Sequence, residues 1–237
     1  MAKSRAEAAA LVDAGSVRVG GVPTPKVTTL VDPGTPVELI GPKPRYVSRG
    51  GLKLEGALAQ FGVDPSGRRC IDLGASTGGF TDCLLQHGAA SVVAVDVGYG
   101  QLDDRLAARP GVTVVDRTNV RHADPVSLGA PFELVVGDLS FISLCTVADV
   151  LAGLVGDGGD GVLLVKPQFE VGRAQVGRGG IVRDEDARRG ALDHVVECLA
   201  SSGLGTVATC VSPITGAKGN VEFFVHVQPD EPMRDTP

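Results

Sequence analysis

Hydrophobic and polar positions change period several times along the chain. From Ser4 to Ala14 the apolar residues Ala6, Ala9, Ala10, Leu11 and Val12 follow a helical pattern, with Ser4 as N-cap, Glu7 three residues on and Gly15 as the stop. Val17-Arg18-Val19 then alternates like a strand, Gly20-Gly21 turns, and Val27–Val31 and Val37–Ile40 read as two more short strands around Asp32-Pro33-Gly34. Gly41 to Tyr46, with Pro42 and Pro44, reads as a stiff linker. Beyond it Leu54, Leu58 and Phe61 stand at helical spacing. Strand and helix then alternate: strands are predicted near 69–73, 91–96, 112–115, 133–137, 161–165, 206–212 and 221–227, and helices near 78–87, 100–108, 143–155 and 185–202. Five β-α units followed by two strands with a short connection predict an α/β fold, a seven-stranded, mostly parallel sheet with an antiparallel edge hairpin. The polar, proline-containing stretch after Gln228 is expected to be a disordered tail.

Composition narrows the class. The 237 residues, 43% hydrophobic and without tryptophan, suffice for one aliphatic core with a small appendage. No apolar run approaches the ~20 residues of a membrane helix, and five widely spaced cysteines without a C-x-x-C pair argue against both a disulfide framework and a zinc site. A cytoplasmic protein is expected. Net charge is −6, which disfavours a polyanionic partner, yet residues 1–55 carry +3 and the remainder −9. A local basic face, and not the average, governs phosphate contact.

The chemistry centres on Cys70–Phe80, Cys-Ile-Asp-Leu-Gly-Ala-Ser-Thr-Gly-Gly-Phe. This reads as a strand ending in the acid Asp72 and running into a glycine turn and a helix, where a ligand can approach bare backbone N–H groups. Ser76 occupies the place of the second glycine of the dinucleotide pattern, so an NAD-dependent oxidoreductase is disfavoured. An acid followed by G-x-S-x-G-G looks instead like the first motif of S-adenosylmethionine methyltransferases. Ligands of open α/β sheets bind beyond the carboxyl ends of the strands, and every predicted strand end here is polar. The second strand ends in Asp96-Val97, with Asp96 placed to accept from ribose hydroxyls. The third is followed by Asp116-Arg117-Thr118-Asn119, the fourth gives Asp138-Leu139-Ser140-Phe141, the fifth Lys166-Pro167-Gln168-Phe169-Glu170, and Glu222 lies early in the last strand. Each residue alone has an ordinary explanation as a cap or a solvated turn, Lys53 included; their coincidence at one rim is harder to dismiss.

Two resemblances follow from these residues. Ser4-Arg5, Ala8, Leu11-Val12, Gly15, Val17, Val19 and Gly21 resemble the S4 RNA-binding module without its first helix. The ordered set Lys53, Asp138, Lys166 and Glu222 matches the Lys-Asp-Lys-Glu arrangement of FtsJ-like RNA 2′-O-methyltransferases. The stretches Val47–Leu54, Asp72–Thr81, Asp96–Gln101, Asp138–Ser143, Val165–Glu170 and Gly219–Phe224 resemble more particularly the TlyA, or hemolysin A, family, from Ser4 to about Val227. That family often has tryptophan where this chain has Tyr46. The resemblance implies a class I (Rossmann-like) methyltransferase domain over 48–228, preceded by a small truncated S4-like RNA-binding domain over 1–40 and a linker over 41–47, with 229–237 as the tail. It implies S-adenosylmethionine as cofactor and 2′-O-methylation of cytidine in ribosomal RNA, in the large subunit and for some members the small subunit too, without a metal. A membrane-damaging role finds no support in the sequence.

On this basis Lys53, Asp138, Lys166 and Glu222 are the expected catalytic residues. Lys166 is expected to act as base, with Lys53 lowering its pKa and the two acids orienting the lysines. Asp72, Gly74, Ala75, Ser76, Thr77, Gly78, Gly79, Phe80, Asp96, Val97, Asp116 and Asp138 are the expected cofactor contacts. Lys3, Arg5, Arg18, Lys43, Arg45 and Arg49 are the expected RNA contacts. Two other readings keep part of this pattern: a small-molecule O-methyltransferase, which has no use for an S4-like segment, and a non-catalytic ribosome-binding factor.

Overall fold

A computed structural model of the chain describes residues 5–13, 15–23, 26–40 and 44–230. Contacts divide the chain into two units, Met1–Pro44 and Arg45–Pro237. The first consists of helix α1 (Arg5–Asp13) and strands β1 (Val17–Val19), β2 (Val22–Pro23) and β3 (Val37–Leu39), in a sheet of order β2-β1-β3. Gly20 and Gly21 both have positive φ, 58° and 80°, the backbone a two-residue hairpin turn requires. The turn therefore folds Val22-Pro23 back onto Arg18-Val19, and the strand predicted at Val27–Val31 does not form. Leu30 is 98% exposed, so that segment buries too little to hold an extended conformation.

The second unit begins with α2 (Gly50–Phe61), followed by β4 (Arg69–Leu73), α3 (Gly79–Gln86), β5 (Ser91–Val95), α4 (Asp104–Ala107), β6 (Val112–Val115) and β7 (Phe132–Gly137). After these come α5 (Ala148–Leu154), β8 (Val155–Val165), α6 (Pro167–Glu170), α7 (Glu185–Ser201), β9 (Leu204–Val211) and β10 (Phe223–Pro229). The seven strands lie in the order β6-β5-β4-β7-β8-β10-β9. Only β10 is reversed, pairing antiparallel with both β8 and β9. One apolar layer, with Leu54, Leu58, Phe80, Leu84 and Phe224, covers one face, and Ile71, Leu151, Leu154, Val195 and Leu199 build the other. Burial on both faces explains why β4, β5 and β7 read as continuous apolar runs.

Several predicted boundaries move, each for a local reason. The helix predicted at 100–108 shortens to α4, capped by Asp103, whose carboxylate accepts from the Arg105 N–H. The helix predicted at 143–155 divides into a 3₁₀ turn, Leu144–Val147, capped by the Ser143 hydroxyl, and α5. Strand β10 starts at Phe223, so Glu222 precedes it, and its end at Pro229 takes in the first residue assigned to the tail; residues 231–237 lie outside the described ones. Tyr46, assigned to the linker, is 3% exposed and packs against α2, where any side chain at Gly51 would overlap its ring.

The cysteines require a correction. Cys145, in the Leu144–Val147 turn, and Cys198, on α7, form a disulfide with their Cα atoms 5.2 Å apart. The turn packs directly on α7, so two cysteines 53 positions apart in sequence become neighbours; sequence spacing carries no trace of that contact. Cys70, Cys83 and Cys210 are free and buried.

Candidate active site

The order of the sheet sets the location of the site. Chain direction reverses outward from β4, with β5 on one side and β7 on the other, which opens a crevice beyond their carboxyl ends. A cavity of about 310 Å³ lies there, lined among others by Ser48, Arg49, Lys53, Gly74–Thr77, Gly79, Phe80, Asp138 and Thr215–Ala217. That volume is within the ~300–1,000 Å³ typical of small-molecule sites.

The glycine turn is built for close approach. Gly74 has φ 81°, and a Cβ there would stand 2.8 Å from the Asp138 carbonyl oxygen. Ser76 adopts φ 47°, and its N–H donates to the Asp96 carboxylate at 2.8 Å; the other Asp96 oxygen accepts from the Gly98 N–H at 2.7 Å. Asp72 is fully buried beneath the turn. One of its oxygens accepts from the Thr81 N–H (2.9 Å) and hydroxyl (2.6 Å), fixing the start of α3. The other, Oδ1, is buried with no hydrogen-bond partner among the described residues. Burial pushes the Asp72 carboxyl up to about 7, reinforced by the charges of Asp138 and Asp96 and opposed by the Thr81 hydrogen bonds. An orphaned carboxylate oxygen, a glycine that no side chain can replace and a cavity of nucleoside size fit a cofactor such as S-adenosylmethionine. Of the expected cofactor contacts, Gly74, Ala75, Ser76, Thr77, Gly79, Phe80 and Asp138 line this cavity. Asp72 and Gly78 are buried and do not line it, and Asp116, whose carboxylate accepts from the Gly100 N–H, stands with Asp96 and Val97 outside its lining.

Across the mouth, the four expected catalytic residues form two ion pairs. Lys53 Nζ lies 2.5 Å from Glu222 Oε2, and Lys166 Nζ lies 2.5 Å from Asp138 Oδ1. Each member arrives on a different element: Lys53 on α2, Asp138 after β7, Lys166 after β8, Glu222 before β10. Lys53, Lys166 and Glu222 are buried. Lys166 also donates to the Ser140 hydroxyl at 2.7 Å, and Gln168 donates to Glu222 at 3.3 Å. Asn220 holds the Glu222 end in place, accepting from the Val182 N–H and donating to the Gly180 and Ala217 carbonyls.

Two side chains beside the ion pairs escape sequence reasoning. Ser140 and Phe141 are visible at a strand end, but nothing in their spacing singles them out. Phe141 is 91% exposed with φ 64°, an uncommon backbone for a bulky residue. Its ring packs on Phe169 at 5.1 Å, and Lys166 Nζ lies 5.8 Å from the Phe169 ring centre. A large apolar side chain is thus held out to solvent in an uncommon backbone conformation, one ring removed from a buried lysine. Among the expected RNA contacts, Lys3 and Lys43 lie outside the described residues, Arg5 begins α1, and Arg18 is exposed on β1. Arg49 is exposed at the cavity. Arg45 is paired with Glu55 and rests on the Tyr46 ring, so its charge is partly committed inside the unit.

A sheet with its single reversed strand next to the edge, a glycine turn over a buried acid and paired lysines at the rim together define a Rossmann-like methyltransferase. The sequence model of the FtsJ-like methyltransferase family matches residues 46–228, and the chain belongs to that family. It is 48% identical over 226 residues to the 16S/23S rRNA (cytidine-2′-O)-methyltransferase TlyA of Mycobacterium tuberculosis, covering 95% of this chain and 84% of the relative. It is 37% identical over 225 residues to a protein named hemolysin A from Brachyspira hyodysenteriae, covering 94% and 93%. A solved structure from Streptococcus thermophilus, named as a candidate hemolysin, superposes with a TM-score of 0.82 at 42% identity, covering 100% of this chain and 87% of that one. Among the described residues no helix is long and apolar enough to cross a membrane.

Proposed function

We propose that this chain transfers a methyl group from S-adenosylmethionine to the 2′-hydroxyl of a cytidine in ribosomal RNA, working in the cytoplasm on ribosomal subunits. The observation that carries the reading is the two ion pairs, Lys53–Glu222 and Lys166–Asp138, each with one member, Lys53 or Asp138, lining the glycine-turn cavity. The name and activity of the Mycobacterium tuberculosis relative, 48% identical, supply the substrate class.

When bound, S-adenosylmethionine supplies an electrophilic methyl carbon on a sulfonium. Asp72, the Gly74–Phe80 turn, Asp96, Val97 and Asp116 are assigned to holding it. The chain must do two further things: align the ribose oxygen with that methyl and accept its proton. Lys166 is assigned as the proton acceptor, with Asp138 and Ser140 fixing the position of its Nζ. Lys53, held by Glu222, is assigned to the 2′-oxygen. Phe141 offers a flat apolar face on which a splayed-out base can stack, a contact suited to single-stranded RNA. Arg18 and Arg49 are assigned to phosphates, with Lys3, Arg5, Lys43 and Arg45.

The deciding experiment incubates separated ribosomal subunits with methyl-labelled S-adenosylmethionine and maps 2′-O-methyl ribose. Label in cytidine is expected with the parent and is expected to fall at least ~10²-fold with Lys166→Ala, with cofactor binding retained. Equal turnover in the variant overturns the assignment of the base, and label in a small molecule but not in RNA overturns the substrate.

A further inference from the structure

Away from the cavity, a second group of chemically competent side chains stands on the opposite face of the sheet. His194 and Cys198 are four residues apart on α7 and so project from one side of it. Cys145 is presented to them by the Leu144–Val147 turn. One ligand atom from each of the three lies within 4.8 Å of the other two, and His194 Nε2 is 3.8 Å from Cys198 Sγ. His194 also borders a depression shared with Glu170, Asp184 and Asp186, whose carboxylates favour a cation.

Two sulfurs and one imidazole nitrogen make the donor set preferred by soft or borderline, thiolate-binding d¹⁰ cations. With metal–sulfur bonds of ~2.3 Å and metal–nitrogen bonds of ~2.0–2.1 Å at tetrahedral angles, neighbouring sulfur and nitrogen ligands lie about 3.6 Å apart. Two sulfurs lie about 3.8 Å apart. The His194–Cys198 distance of 3.8 Å is close to that value, the third ligand atom lies within 4.8 Å of both, and the two sulfurs have to separate for a cation to enter between them.

We propose that Cys145, His194 and Cys198 form a Cys₂His site for a zinc-class divalent cation, and that the Cys145–Cys198 disulfide is the oxidised, metal-free state of the same site. Opening it takes two electrons and two protons from a thiol reductant, which is itself oxidised to a disulfide. Cation binding then displaces the two thiol protons to solvent, and His194 donates its Nε2 lone pair with its proton on Nδ1. The fourth position faces water, since His194 is exposed and both cysteines are half-buried. Either state ties the Leu144–Val147 turn to α7. The residue before that turn, Ser143, donates to Glu170 at 2.5 Å, and Glu170 ends the α6 turn that begins directly after Lys166. The site therefore braces the segment between Asp138 and Cys145 from behind. Only the prevalence of the reduced state rests on the cytoplasmic reading above; the ligand set does not.

The test uses the full chain, reduced, loaded with zinc chloride and desalted without oxygen, with zinc counted by plasma mass spectrometry. One zinc per chain is expected in the reduced protein and none after oxidation. The Cys145→Ser/Cys198→Ser variant is expected to hold none, and His194→Asn to bind at least tenfold more weakly. Native alkylation read by peptide mass spectrometry provides a check that needs no variant: zinc is expected to protect Cys145 and Cys198 together. Zinc content equal in the reduced parent and the double-serine variant, unprotected cysteines in the zinc-loaded parent, or unchanged affinity in His194→Asn overturns the proposal. None of these readouts involves methyl transfer, so a failure of the RNA reading leaves them unaffected.

Discussion

Glu222→Gln is the sharpest single probe of the rim. The substitution keeps the shape of the side chain and removes the charge that faces Lys53 at 2.5 Å, in a place where the Lys53 side chain is 11% and the Glu222 side chain 2% exposed. At that distance and an effective dielectric near 20, the lost attraction is about 7 kcal/mol before solvation is counted. Most of it offsets the cost of taking two charges out of water. What remains visible is the penalty of a buried, unpartnered ammonium, typically ~3–5 kcal/mol. For a chain of this size each kcal/mol moves the melting temperature by roughly 2–4 °C, so circular dichroism should show a fall of about 6–20 °C. The double variant Lys53→Met/Glu222→Gln buries no charge and should recover more than half of that loss, while turnover stays at least ~10²-fold down in both proteins. Stability would then follow charge balance, and activity would follow the presence of the paired lysine. A Glu222→Gln protein that melts within about 2 °C of the parent, or a double variant as unstable as the single one, refutes the charge-balancing role of Glu222.

Asp72 yields a pH dependence. Its folded value, about 7 against 3.8, means the unliganded native state keeps a proton the unfolded chain has released, so stability from this group falls as pH rises from about 4 to about 7. The span corresponds to about 4 kcal/mol at ~1.36 kcal/mol per pH unit; Asp72→Asn should flatten the decline in calorimetry, and an unchanged profile counts against it. Asp160, 5% exposed in β8, responds oppositely. Burial pushes its carboxyl up, but hydrogen bonds from His226, Arg68 and Gln228 more than offset this and hold it well below the usual range. Its contribution is complete above pH ~4 and is lost as pH falls below that, and Asp160→Ala should cost ~3–5 kcal/mol in urea unfolding while methyl transfer by the folded fraction is retained. Phe141→Ala, at a solvent-exposed side chain, should leave the melting temperature unchanged and cut kcat/KM for RNA by about 5–150-fold, the equivalent of ~1–3 kcal/mol of stacking; an unchanged kcat/KM removes the base-stacking role.

The sequence alone determined whatever depends on neighbours in the chain. The apolar runs at 69–73, 91–95 and 133–137 mark strands because both faces of the sheet are covered, and Asp72 through Gly79 declares its turn because glycine spacing limits the backbone locally. Lys53, Asp138, Lys166 and Glu222 were legible as a set through resemblance to a family, each having an ordinary reading on its own. The tertiary structure decided which acid holds which lysine, since Lys53 and Glu222 are 169 positions apart and only the insertion of β10 beside β8 brings them together. It also selected Val22-Pro23 over Val27–Val31 as a strand, because two glycines of positive φ close the tighter hairpin. It joined Cys145 to Cys198 by packing a turn on α7, and it turned Ser140 and Phe141 from strand-end residues into the surroundings of a buried lysine. Periodicity records which face of an element is covered; it does not record which element covers it, and that contact is what places charge against charge and sulfur against sulfur.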